Sequence, residues 1–344
     1  MNPAYLSSNI IPVVEEIKQL LDGTFDASTN DLTSLRLTDI CNSGSRYLID
    51  MIYKDTAPSE HVVAGMINAF RESLNRTRHI TTLCNITTEY AQFTFTVSKI
   101  YDYDLHKRVK WIKDVSEHLL SFAKSQLKSP YYWILYGRSQ LILSRLYQGS
   151  YSCIVLKNAL NTLSPMDSIP EVQVMKGILL AYLAMLSYED TIPDNLEIKS
   201  QVYTLDEKET KKMEKVSNSK RERVMGDYSK LLWNEAMKCF LVSDSKLLDA
   251  EFHYSIVLGK WALMPRKDSE MDIMLSHALQ CIRMIDYDTI DKLRHENEWW
   301  DDIADNIRIL FSATLARAKN EDERKELLEM CHEKLWPIIT DKNL

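Results

Sequence analysis

Apolar residues recur along this chain at spacings of three and four, the period of helices with one buried face. Asn9–Asp22 places Val13, Val14, Ile17, Leu20 and Leu21 on one side and meets Gly23 as a stop. A second helix begins near Asp31, carries Leu32, Leu35, Ile40, Cys41, Leu48, Ile49 and Ile52, and ends before Pro58. Ser59–Asn75 repeats the pattern with Val62, Val63, Met66, Ile67 and Phe70. Arg78–Tyr101 is richer in threonine and aromatics, and its Phe93–Val97 run has strand propensity. The surrounding periodicity and the missing turn residues favour a helix there. Asp104–Leu127 is strongly amphipathic through Leu105, Val109, Ile112, Val115, Leu119, Leu120 and Phe122.

The middle of the chain is punctuated most clearly. Tyr131–Tyr147 and Gly149–Leu163 are separated by Gln148-Gly149 and bracketed by Pro130 and Pro165, and Pro170–Tyr188 follows at once. Helix, tight turn, helix, proline stop and new helix is the grammar of an α-solenoid. From Leu205 to Arg223 the chain is charged and almost free of apolar residues. The pattern therefore divides into a helical region over 1–203, a charged loop or hinge over 204–226 and a second helical region over 227–344. In the last, helices are expected at Tyr228–Val242, Ser245–Met264, Asp268–Ile285, Asp288–Trp299, Asp301–Ala318 and Asn320–Lys334. Asn320, followed by Glu321, Asp322 and Glu323, has the residues of an N-cap with an acidic first turn. The total is about 12 to 14 antiparallel helices.

Composition agrees with helices only. The 344 residues hold 8 glycines and 9 prolines, too few for a chain rich in β-turns or phosphate loops. A net charge of −7 gives no global attraction to nucleic acid or anionic lipid. Six cysteines without a C-x-x-C pair read as free thiols of a reduced compartment. No basic and apolar leader opens the sequence, and the most apolar run, Gly177–Leu186, is too short to span a bilayer, which takes about 20 residues. These features point to an intracellular protein, nuclear or cytoplasmic, with no membrane partner.

Two resemblances follow from particular residues. Trp133-Ile134-Leu135-Tyr136-Gly137-Arg138-Ser139-Gln140 resembles the first-helix motif of the tetratricopeptide repeat, with Tyr for Leu and Gln for Tyr. Gly149-Ser150-Tyr151-Ser152 resembles its inter-helix turn, and Ala159-Leu160 followed by Pro165 its close. Gly137 to Gly177 spans forty residues rather than thirty-four, so the expected fold is all-α, an irregular TPR-like α-solenoid. The stretches Leu35–Leu48 and Asn75–His79 resemble the N-terminal part of a meiotic TPR-like scaffold family. That resemblance implies a role in crossover formation and chromosome synapsis, and a chain shorter than the usual member.

Catalytic signatures are missing from the sequence. It holds no G-x-S-x-G, GxxxxGK[ST], GxGxxG or H-E-x-x-H. Cys331 and His332 are adjacent, and helix neighbours point about 100° apart, so they cannot share a metal. Paired carboxylates, Asp301-Asp302 and Glu296 with Glu298, lie in an acidic stretch that reads as a solvated face. No catalytic, cofactor-binding or metal residue is therefore assigned, and an all-α enzyme would have to reveal itself by a deep pocket with convergent polar groups.

Two features suggest partners. Lys107, Arg108, Lys110 and Lys113 surround Trp111, and positions 107, 110, 111 and 114 share one helical side. Such a strip could hold an acidic peptide or phosphate, or it could be a solvated face. Trp299 and Trp300 cannot both face the core of one helix, so either one is a binding anchor or both are buried from different sides of a helix junction. The expected function is a non-catalytic scaffold that binds protein partners along a concave helical surface. A nucleic-acid- or chromatin-associated protein using the strip at 107–113 is the alternative.

Overall fold

The computed structural model describes residues 14–28, 33–54, 56–126, 129–147, 150–188 and 320–330, with isolated residues between 231 and 239 and at 315 and 318. It is all-α, with no strand among the described residues. The helices are α1 (14–22), α2 (Ser34–Tyr53), α3 (Glu60–Arg76), α4 (Ile80–Val97), α5 (Leu105–Ser125), α6 (Pro130–Leu146), α7 (Ser150–Leu163), α8 (Pro170–Tyr188) and α9 (Glu321–Met330). A 3-10 turn, Ser164–Met166, follows α7. The chain forms two compact units, which divide between Leu127 and Lys128. The expected hinge at 204–226 and all expected helices after α8 except the last lie largely outside the described residues.

Local chemistry sets the helix ends. Gly23 adopts a φ of 78°, a left-handed conformation that stops α1 where a side chain would be strained. The Thr33 hydroxyl accepts from the Arg36 N–H at 3.2 Å, the Ser59 hydroxyl from Val62 at 3.4 Å and the Asp104 carboxylate from Lys107 at 3.1 Å. Asn320 Oδ1 accepts from the Glu323 N–H at 2.8 Å, so the expected cap of the last described helix is present. The threonine-rich segment through Phe93–Val97 is helical: Phe93, Phe95 and Val97 are all buried in α4, and no strand among the described residues competes for them.

In the first unit α2 packs on both α3 and α4, and α4 packs on α3 and α5. A row of rings crosses these helices. Phe70 of α3 stacks on Tyr90 of α4 at 5.2 Å and tilts against Phe93 at 5.9 Å. Tyr90 meets His118 of α5 at 6.3 Å, and His118 stacks on Phe122 at 6.0 Å. His118 Nε2 and Thr87 Oγ1 share a hydrogen bond of 3.0 Å, and burial pushes the imidazole pKa down.

The second unit repeats this packing. α6 contacts α7 and α8, and α7 contacts α8, the neighbour and next-neighbour pattern of helical repeats. Both α6 and α8 are buried over most of their circumference, α8 from Val172 to Ala184 with few interruptions. Small residues make this approach close. Ser139 and Ser144 are buried and turn their hydroxyls back onto the carbonyls of Tyr136 and Leu141. Gly137 faces Met175 so closely that a Cβ would overlap Met175 Cγ and lie 3.1 Å from Sδ.

Two predictions follow from this packing. Gly137→Ala should destabilise the chain by about 1–3 kcal/mol through overpacking, and Met175→Ala combined with it should cost less than the sum of the single changes. Urea unfolding of the three variants measures this. The lowered His118 pKa means the unfolded chain takes up the proton first as pH falls through about 6.5, so this contribution to stability is present above that pH and lost below it. The urea midpoint should drop between about pH 7.5 and about pH 5.5, and His118→Gln should reduce that drop.

Candidate functional site

The candidate site lies in the first unit, between α3 and α5. These helices flank α4 and leave a cleft of about 520 Å³, a volume within the usual range of ligand sites, about 300–1,000 Å³. Its α3 wall is made by Glu60, His61, Ala64, Ile67, Asn68 and Arg71, a stripe at helical spacing. Its α5 wall is made by Lys107, Lys110 and Trp111.

Ion pairs join the two walls at both ends. Lys107 Nζ donates to Glu60 Oε2, while Glu60 Oε1 accepts from the Asp104 N–H at 2.6 Å. Arg71 donates from its guanidinium to Asp114 Oδ2. At about 1.5 Å per residue, the two pairs are about 16 Å apart along α3 and about 10 Å apart along α5. Lys110 and Asn68 lie between them. Both are exposed, and neither takes part in an ion pair or hydrogen bond among the described residues.

The ion pair at the Glu60 end of the cleft sets the electrostatics of its two partners. The hydrogen bond from Lys107, followed by that from the Asp104 N–H, holds the Glu60 carboxyl below its usual range. The Glu60 carboxylate raises the Lys107 ammonium in return. Both shifts move away from neutral pH, opposite to the tuning of a general acid or base. No group of three or more His, Cys, Asp or Glu suited to a metal occurs among the described residues.

The basic strip expected from the sequence is divided by the helix. Lys107, Lys110 and Trp111 face the cleft, as their shared helical side requires. Arg108 turns the other way and is only 7 % exposed; its Nε donates to the Ser98 carbonyl at 2.6 Å and its guanidinium lies 5.3 Å from the Tyr101 ring centre. Desolvation lowers its pKa, and its bonds hold the turn between α4 and α5. Lys113 is exposed but does not line the cleft. Trp111 is largely buried, edge-on to Tyr103 at 5.9 Å, and Tyr103 donates its hydroxyl to the Pro58 carbonyl. The tryptophan is thus floor rather than anchor. Trp299 and Trp300 lie outside the described residues.

Sequence reasoning missed Glu60, His61, Asn68 and Arg71, and placed position 114 on the shared side of the strip without its pairing to Arg71. Their signal is the complementary order of charge, Glu60 then Arg71 on α3 against Lys107 then Asp114 on α5. It becomes readable only once α3 and α5 are known to face each other across α4. Elsewhere, Cys41 and Cys153 are buried and Cys84 and Cys239 half-buried, and none of these four is in a disulfide. No helix among the described residues is long and apolar enough to cross a membrane. No family model, curated protein or solved structure matches this chain.

The division of the strip has a measurable consequence. Arg108→Lys should lose the bond to Ser98 and the planar contact with Tyr101 and cost about 1–2 kcal/mol in urea unfolding. Lys110→Gln, on the exposed wall, should leave the midpoint nearly unchanged.

Proposed function

We propose that this chain is a non-catalytic helical-repeat scaffold that binds protein partners. The observation that supports the reading most directly is the cleft between α3 and α5. Its end charges are neutralised in place, its floor is fixed by Trp111 and Ile67, and its middle carries an exposed ammonium and amide with no internal bond. A surface of this kind is suited to recognising a ligand. The resemblance of residues 35–48 and 75–79 to meiotic scaffolds makes meiotic cells the first source in which to seek partners.

The test is purification of the tagged full chain from its own cell type, with and without nuclease. A protein recovered in near-stoichiometric amount after nuclease treatment is the expected result. Recovery that vanishes with nuclease, or a chain that emerges alone, counts against the scaffold reading. The first outcome would favour association through nucleic acid.

A further inference from the structure

The charges along the α3/α5 cleft are ordered in a way that selects its occupant. Each end carries a carboxylate, Glu60 at one and Asp114 at the other, already bound to the cation opposite. The uncompensated positive charge is in the middle, at Lys110, and the exposed Asn68 amide is among the α3 residues that line the same cleft. An anionic group seated in the middle gains attraction from Lys110 and a hydrogen-bond donor from Asn68. A group displaced toward either end leaves Lys110 for an ion pair that is already neutralised.

That order favours a short anion over a long one. A nucleic-acid strand would carry further phosphates past the Glu60–Lys107 and Arg71–Asp114 pairs, which are already neutralised and add no attraction to the gain at Lys110. A protein segment with one or two adjacent acidic residues and neutral flanks meets the positive middle and leaves the ends undisturbed. The floor also limits what enters. Ile67 and Trp111 are nearly covered, so the occupant rests on the rims instead of inserting a large side chain.

The geometry points to this cleft as the docking site for a short acidic segment of a partner protein, held by Lys110 and Asn68 between the Glu60–Lys107 and Arg71–Asp114 pairs. This inference rests on the scaffold reading and names the chemistry of the partner. The ring packing of α4 against α3 and α5 sets the spacing of the walls, so the site is formed before the ligand arrives. Charge contacts at an exposed rim act mainly on encounter and on selection of partners, so binding is weak and salt-sensitive.

The test uses the full chain and a fluorescein-labelled peptide with two adjacent glutamates flanked by glycine and serine, followed by anisotropy at low ionic strength. The same peptide with glutamines and a short oligothymidylate are the comparison probes. Lys110→Glu should weaken binding of the acidic peptide about tenfold or more, and Asn68→Ala should weaken it by less. Lys124→Glu, an exposed change near the end of α5 and away from the cleft, should leave it within about twofold. Urea unfolding confirms that each variant is folded.

Equal binding by the parent and Lys110→Glu overturns the proposal, as does failure of the parent to distinguish the glutamate peptide from the glutamine peptide. Lys110-dependent binding of the oligothymidylate without binding of the peptide also overturns it. If the Lys110→Glu chain still co-purifies its protein partner, the scaffold reading stands and this docking site falls. If peptide binding depends on Lys110 while no partner is recovered from cells, the site stands and the scaffold reading falls.

Discussion

The first unit depends on α4 being filled with rings. Phe70, Tyr90 and Phe93 pack across the α3–α4 boundary, and Tyr90, His118 and Phe122 continue the row into α5. Ring pairs of this geometry contribute about 0.5–1.5 kcal/mol each beyond the burial of their area. The exposed ion pairs between α3 and α5 add little to stability by comparison, since solvent screens them. The spacing of α3 from α5 is therefore set by what lies between them. The ion pairs tune the mouth of a cleft that the aromatic row has already opened.

A helix that borders both a core and a cleft must sort its cations by angle, and α5 does so within one turn. Lys107 and Arg108 are neighbours in sequence but about 100° apart around the axis. That rotation sends one ammonium to an exposed carboxylate and the other cation to a buried carbonyl. Arginine suits the second place because its planar group can donate to Ser98 while lying against Tyr101. A cluster of basic letters is thus two devices, one that closes a turn and one that faces solvent. Their adjacency in the sequence hides the difference.

Much of the architecture was legible because it is local. Gly23, Ser59, Asp104 and Asn320 announce helix ends through conformations and caps that need no distant partner. Gly137 was readable for a different reason: glycine inside an apolar helix signals a close approach, and Met175 of α8 supplies it. The strand propensity of Phe93–Val97 was overridden because burial on several sides rewards those side chains in a helix equally well. The cleft was half legible. Lys107, Lys110 and Trp111 share a helical side that periodicity gives directly. Glu60, Asn68 and Arg71 belong to the site only through tertiary placement, and the spacing of α3 from α5 is a property of α4.

Cations elsewhere in the described fold show why Lys110 stands apart. Lys176 is almost wholly buried in α8, where it pairs with Asp167. Lys157 is 5 % exposed in α7, and burial pushes its pKa down to about 8, the response of an ammonium removed from water. Arg36 pairs with Glu16, Arg46 with Glu89, Arg71 with Asp114 and Lys107 with Glu60. Arg36, Arg46, Arg71, Lys107 and the buried Lys176 are each paired with a carboxylate within the described fold. Lys110 lines a formed cleft between two such committed pairs and has no internal partner among the described residues. A solvated lysine on a convex surface needs no explanation. One at the positive centre of a bracketed cleft has its electrostatic surroundings set by the pairs on either side, and an incoming carboxylate completes the pattern that those pairs satisfy from within.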